Sequence, residues 1–147
     1  MKQHITVEQL KEVIKTDDET FDIFYKICNR QTPKEWYDML PDRVKTTEAK
    51  TYEKWRVKYI TQNLERHIYE ISVSITIGRM IEILLGADQC LTITHRIDFH
   101  DANVWGYEIQ LRHLDYWKWM PGELCDALWE VVKELLNTKI AKEDSYE

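Results

Sequence analysis

The sequence predicts an α+β fold: a mostly helical N-terminal half, followed by a helix, an antiparallel β-hairpin and a C-terminal helix. Three observations predict it. Apolar residues recur at helical spacing, behind recognisable caps, over the first seventy positions. Two later runs, from Leu91 to Phe99 and from Trp105 to His113, alternate apolar and polar residues as half-buried strands do. Gly 4 and Pro 3 are too few for a loop-rich all-β chain.

The elements follow in order. In "ITVEQL", Thr6 is placed to cap a helix, Gln9 completes a capping box, and Ile5 staples onto Leu10. Phe21, Phe24, Tyr25 and Cys28 define one face of a second helix from about Asp18 to Asn29. "TPKEW" repeats the capping logic, with Thr32 as cap, Pro33 at the first helical position and Glu35 three residues after the cap; Pro41 ends that short helix. The longest helix is expected from about Thr47 to Glu70, with Tyr52, Trp55, Tyr59, Leu64 and Ile68 along one side. Lys50, Lys54 and Lys58 make a basic ridge beside them, which reads as a solvated face before it reads as a phosphate site.

Residues 71–75 satisfy both strand and helix spacing. A helix from Ile77 to Leu85, capped by Thr76 and ended by Gly86, follows. The hairpin pairs Phe99 with Trp105 and Ile97 with Tyr107, around the loop "HDANV". A lone hairpin is marginal in water and needs a third strand, covering helices or a second copy, so a homodimer is a reasonable expectation. The C-terminal helix buries Leu124, Leu128, Val131 and Leu135, and residues 138–147 read as a frayed tail. The whole is expected to be a single domain over 1–147, helical over about 1–70 and α-β-β-α over about 71–137.

Charge and cysteine usage narrow the function. The net charge of −6 divides as −2 through Pro41, +2 from Asp42 to Glu70 and −6 from Ile71 onward. A general attraction for nucleic acid or an anionic membrane is therefore excluded, and the acidic half suits a basic partner. Cys28, Cys90 and Cys125 show no CxxC spacing, and no apolar signal core or membrane-length run is present, so a cytoplasmic location is expected. Each cysteine reads as a small buried side chain. No nucleophile elbow and no glycine-rich phosphate loop occurs, which leaves little for an enzyme, and no cofactor is expected.

The segment "LTITHRIDFHDANVWGYEIQLRHLDYWKW" gathers His95, His100 and His113 with aspartates and tryptophans. As metal ligands, only Asp98, His100 and Asp101 in the hairpin loop can readily converge; turn formation is the plainer role for them. Those three are the candidates for a metal-dependent hydrolase. Arg96, Trp105, Tyr107, Arg112, Tyr116, Trp117 and Trp119 are the candidate binding residues. They suit a protein interface or a small nucleotide-like ligand stacked between rings and guanidinium groups. The hairpin puts both arginines opposite Trp105 and Tyr107, which are expected to pack under the C-terminal helix.

At "ITIGRMIEIL" and "ELCDALWEVVKELL" the chain resembles small uncharacterised proteins of bacteriophage and prophage early regions, over about Ile75 to Leu136. The resemblance implies a small cytosolic accessory protein that binds and blocks a host component. The leading expectation is therefore a non-enzymatic binding protein that sequesters or inhibits a host protein such as a defence or nucleic-acid-processing component, without a membrane partner.

Overall fold

The computed structural model describes the backbone of residues 1–14, 19–28, 30–42, 52–62 and 64–145, and side chains over the same stretches except 19–21 and 138–145. Among the described residues the fold is α+β, with seven helices and one three-stranded antiparallel sheet. The chain divides into two compact units: Thr6–Ser74 is one, and Met1–Ile5 with Ile75–Glu147 is the other.

The first unit is all helical. α1 (Val7–Lys11) begins with the expected capping box, in which Thr6 Oγ1 accepts from Gln9 N and Gln9 Oε1 accepts from Thr6 N. α2 (Glu19–Ile27) buries Phe24 and Tyr25. The expected ends at Asp18 and Asn29 and the Phe21 side chain lie outside the described residues. α3 (Pro33–Met39) opens on Thr32, whose hydroxyl accepts from Glu35 N, with Pro33 in the first turn where no intrahelical donor is needed. α4 (Tyr52–Gln62) and α5 (Leu64–Ser74) occupy the range read as the longest helix. The expected start at Thr47, and Lys50 of the basic ridge, fall outside the described residues. Lys54 and Lys58 are exposed. Residues 71–74 are helical, which settles the strand-or-helix ambiguity: Ile71 is buried as the last core residue of α5.

In the second unit the N-terminal residues pair with the segment that leads into α6 (Ile77–Ala87). Ile5 N donates to Ile75 O, Ile77 N donates to Gln3 O, and His4 bridges Thr76. Thr76 Oγ1 caps α6 through Arg79 N, as expected, but Gly86 sits inside the helix and Asp88 forms its C-cap. Three strands follow: β1 (Leu91–Ile97), β2 (Trp105–Leu111) and β3 (Tyr116–Pro121), in the order β1-β2-β3.

Ile97 pairs with Trp105 and His95 with Tyr107, so the expected register is corrected by two residues. An even slip leaves every side chain on its expected face. Its consequence is at the tip. Phe99 leaves the strand, and the connection spans residues 98–104. That connection is held by Asp98 N donating to Val104 O and by the Asp98 and Asp101 carboxylates accepting from His100 N and Asn103 N. β3 was not expected as a strand; it supplies the third strand that a lone hairpin lacks.

α7 (Leu124–Ser145) packs on the sheet and on α6 and takes in most of the residues read as a tail. It is buried on more than one side. Leu128 and Val131 are buried as expected, and Cys125, Trp129, Val132 and Leu136 are buried with them. Gly106 fits because β3 runs close: a β-carbon there would overlap the Met120 carbonyl oxygen.

Candidate functional site

The sheet has two faces with different fates. Strand alternation turns Leu91, Ile93, Tyr107, Ile109, Leu111, Tyr116, Lys118 and Met120 toward α7. Lys118 Nζ donates to Glu134 Oε1 at 2.7 Å and the Tyr116 hydroxyl donates to Glu134 Oε2, tying β3 to the helix. Burial, and then the Glu134 carboxylate, push the Tyr116 phenol up, so it stays a donor. Tyr107 is half-buried and stacks on His95 at 4.6 Å. Trp105, expected beneath the helix, is instead 56% exposed at the hairpin tip, where its ring is tilted against His95 at 4.9 Å. Trp105 is the first residue of β2, at the hairpin end of the sheet.

The opposite face carries Thr92, Thr94 and Arg96 of β1, Glu108 and Gln110 of β2, and Trp117 and Trp119 of β3. A polar chain crosses it. Arg96 Nε donates to Glu108 Oε2, Gln110 Nε2 donates to Glu108 Oε1 at 2.7 Å, and Arg96 Nη1 donates to Ile97 O at 2.9 Å. The Arg96 hydrogen bond, opposed by partial burial, holds the Glu108 carboxyl below its usual range. Arg96 lies between two rings, with its Cζ 4.2 Å from the Phe99 centroid and 5.7 Å from that of Trp119. Trp119 Nε1 donates to Arg96 O at 3.4 Å. Phe99 is 83% exposed and Trp117 62% exposed.

Of the seven candidate binding residues, the structure therefore brings Arg96, Trp117 and Trp119 onto one face. Trp105, Tyr107 and Tyr116 lie on the other. Arg112 is exposed in the β2–β3 turn, at the far end of the strand from Arg96, roughly 20 Å along the sheet at 3.3 Å per residue. The two arginines do not converge on one ligand. Phe99 joins the surface, although the sequence reading placed it in the strand.

Of the loop candidates Asp98, His100 and Asp101, the two aspartates turn their carboxylates to backbone N–H groups, Asp98 to that of His100 and Asp101 to that of Asn103. Among the described residues, the group of three whose metal-ligand atoms lie within 4.8 Å of one another is Asp88, Cys90 and His113. Asp88 is buried. Its Oδ1 accepts from Cys90 N at 2.8 Å, and its Oδ2 accepts from His113 N at 2.7 Å and Leu114 N at 3.2 Å. Burial raises the Asp88 carboxyl, but these three donors and His113 together lower it, so it stays ionised. His113 Nε2 and Cys90 Sγ share a hydrogen bond at 3.2 Å, and His113 Nδ1 lies 3.5 Å from Asp88 Oδ1. The expected hairpin already carried His113 to the Leu91 end of the first strand, beside Cys90; the sequence reading missed Asp88, which joins them through the backbone N–H groups of Cys90, His113 and Leu114.

The helical unit holds a separate cleft of about 340 Å³, lined by Trp36, Tyr59, Arg30, Arg66, His67 and Glu70 among others. Glu70 accepts from Arg30 Nη1 at 2.9 Å and Arg66 Nε at 3.0 Å, and the Arg66 bond foremost lowers its carboxyl. Two guanidinium groups against one carboxylate leave the cleft one positive charge. His67 is buried, hydrogen-bonded to the Tyr25 hydroxyl at 2.6 Å, and lowered by that burial. Tyr59 tilts against His67 at 4.9 Å and stacks on Trp55 at 4.7 Å.

Among the described residues no helix is long and apolar enough to cross a membrane. The chain matches no protein-family model, no curated protein and no solved structure.

Proposed function

We propose that the chain is a non-enzymatic binding protein, phage-derived, that sequesters or inhibits a host protein through the open face and tip of its sheet. The observation that carries this reading is the exposure of Trp117 on the open face of a sheet whose other face is fastened to α7, with Phe99 and Trp105 exposed at its tip. A group of exposed rings gathered at one place marks a partner site more often than single exposed rings do, and tryptophan and arginine are the residues that dominate interface energies. The Arg96–Glu108–Gln110 chain supports it further: its charges are already paired, so a partner can cover it without stripping a lone ion of water. The excess acid from Ile71 onward favours a basic partner rim.

Affinity capture from host lysate, with identification of the retained protein, tests the reading when run beside Phe99→Ser and Trp117→Ser. Both side chains are exposed, so the variants keep the wild-type circular dichroism. Loss of the retained protein in the variants is expected. Equal retention by the variants, or no specific retention by the wild type, overturns the proposal.

A second reading, a small-ligand protein for a planar nucleotide-like anion, is favoured by the cleft at Arg30, Arg66, Trp36 and Tyr59 rather than by Arg96 and Arg112. Equilibrium dialysis against nucleoside monophosphates, with Arg66→Ala as control, decides it. Binding that Arg66→Ala does not weaken counts against that cleft.

A further inference from the structure

We propose that Asp88, Cys90 and His113 form a binding site for a zinc-type divalent cation. The argument begins with donor chemistry. A thiolate, an imidazole nitrogen and a carboxylate oxygen form a set that selects zinc and its neighbours over magnesium or calcium, which take oxygen ligands.

Geometry comes next. Tetrahedral zinc with bonds of about 2.3 Å to sulfur and about 2.0–2.1 Å to nitrogen sets a sulfur–nitrogen edge of about 3.5 Å. Cys90 Sγ and His113 Nε2 stand 3.2 Å apart, and one ligand atom from each of the three residues lies within 4.8 Å of the others. Admitting the ion opens the Cys90–His113 pair by a few tenths of an ångström. The His113 side chain, 70% exposed, can turn to allow that.

Asp88 supplies what a chance cluster lacks. A carboxylate offers about four lone-pair directions. Three are taken by backbone N–H groups, two on Oδ2 and one on Oδ1, so one direction remains on Oδ1, the oxygen 3.5 Å from His113 Nδ1; the exposed ring turns to bring its Nε2, already beside Cys90 Sγ, toward that oxygen. The three donors belong to Cys90, His113 and Leu114. The buried carboxylate thus fixes the backbone of both other ligands while offering its own oxygen, which is the support that metal sites ordinarily draw from groups around the ligands. Three protein ligands leave a fourth position for water.

The test uses the full chain, stripped with chelator and titrated with cobalt(II) as a spectroscopic stand-in for zinc. The expected result is one cobalt per chain, with tetrahedral visible bands and a near-ultraviolet thiolate-to-cobalt charge-transfer band that added zinc abolishes. Cys90→Ser removes the charge-transfer band. His113→Ala weakens binding at least tenfold and keeps the fold, because its backbone N–H still reaches Asp88. Cys28→Ser behaves as wild type. A missing charge-transfer band, or one that persists in Cys90→Ser, overturns the site.

Discussion

Replacing Gly106 with alanine separates two opposed effects of known size. Elsewhere in a strand the change stabilises by about 0.4–1 kcal/mol, because alanine has fewer unfolded conformations to lose. Gly106 has no positive φ, so its backbone accepts alanine. The obstacle is β3. The new methyl would overlap the Met120 carbonyl oxygen and stand 2.8 Å from both the Met120 carbonyl carbon and Pro121 Cα, whereas ordinary contact begins at 3.4 Å. The atoms in the way are backbone and cannot rotate aside, so the end of β3 must move by more than the roughly 0.6 Å that the two 2.8 Å contacts alone require, since the Met120 carbonyl oxygen stands closer still. Overpacking of this kind costs about 1–3 kcal/mol, and the Gly122 N to Trp105 O bond at that end adds about 1 kcal/mol when it is strained. The loss exceeds the gain by about 2 kcal/mol, a factor of roughly 30 in the local opening equilibrium. Native-state hydrogen exchange at the amides that bond this end of β3 to β2 reads this directly: Gly106→Ala should speed exchange at Met120 and Gly122 by about 30-fold. Unchanged or slower exchange would refute the close approach on which the reasoning depends.

Two further outcomes rest on the two cores. Leu128 is fully buried in α7, so Leu128→Ala should cost about 2–5 kcal/mol by urea denaturation followed through the near-ultraviolet signal of the sheet tryptophans; a loss under 1 kcal/mol would contradict that burial. His67 should make the helical unit acid-sensitive. Burial holds its folded pKa below the unfolded value, with Arg66 and Arg30 adding to the effect and Glu70 opposing it. The unfolded state therefore binds the proton first, and stability is full above about pH 6.5 and declines as pH falls from there toward the folded pKa. His67→Gln should flatten that decline in urea midpoints measured between pH 7.5 and 5; an identical slope would remove His67 as the cause.

The parts of the fold legible in sequence are those decided within a few residues. Thr6, Thr32 and Thr76 cap the helices they were expected to cap, since a hydroxyl and the N–H three residues on are all the motif needs. The hairpin faces were legible for the same reason. Its register was not, because Asp98 and Asp101 shape a loop that expels Phe99, and alternation alone cannot distinguish a two-residue slip. β3 hid behind its own composition. Lys118 points toward α7 and is satisfied by Glu134, while Trp117 points to the open face, which inverts the usual pattern of apolar inside and polar outside. Asp88 went unread because a single aspartate after a helix carries no local signal, and its partners His113 and Leu114 lie twenty-five and twenty-six residues away. The helical cleft was missed because its arginines lie on α5 and beyond α2, forty residues from sequence to partner for Arg30 and Glu70.

The short N-terminal pairing has a consequence for how the chain matures. Residues 1–5 belong with residues 75 onward, so one unit is discontinuous and the other is an insertion whose two ends leave and return at the bonded pair Ile5 and Ile75. While the intervening stretch of Thr6–Ser74 is a random coil, bringing its ends together carries a chain-length cost of roughly 4 kcal/mol. Once the insertion has folded with its ends adjacent, that cost has already been met. On a ribosome the helical unit is complete first. The first five residues then wait, their strand-like backbone unpaired, until the following segment emerges to claim them.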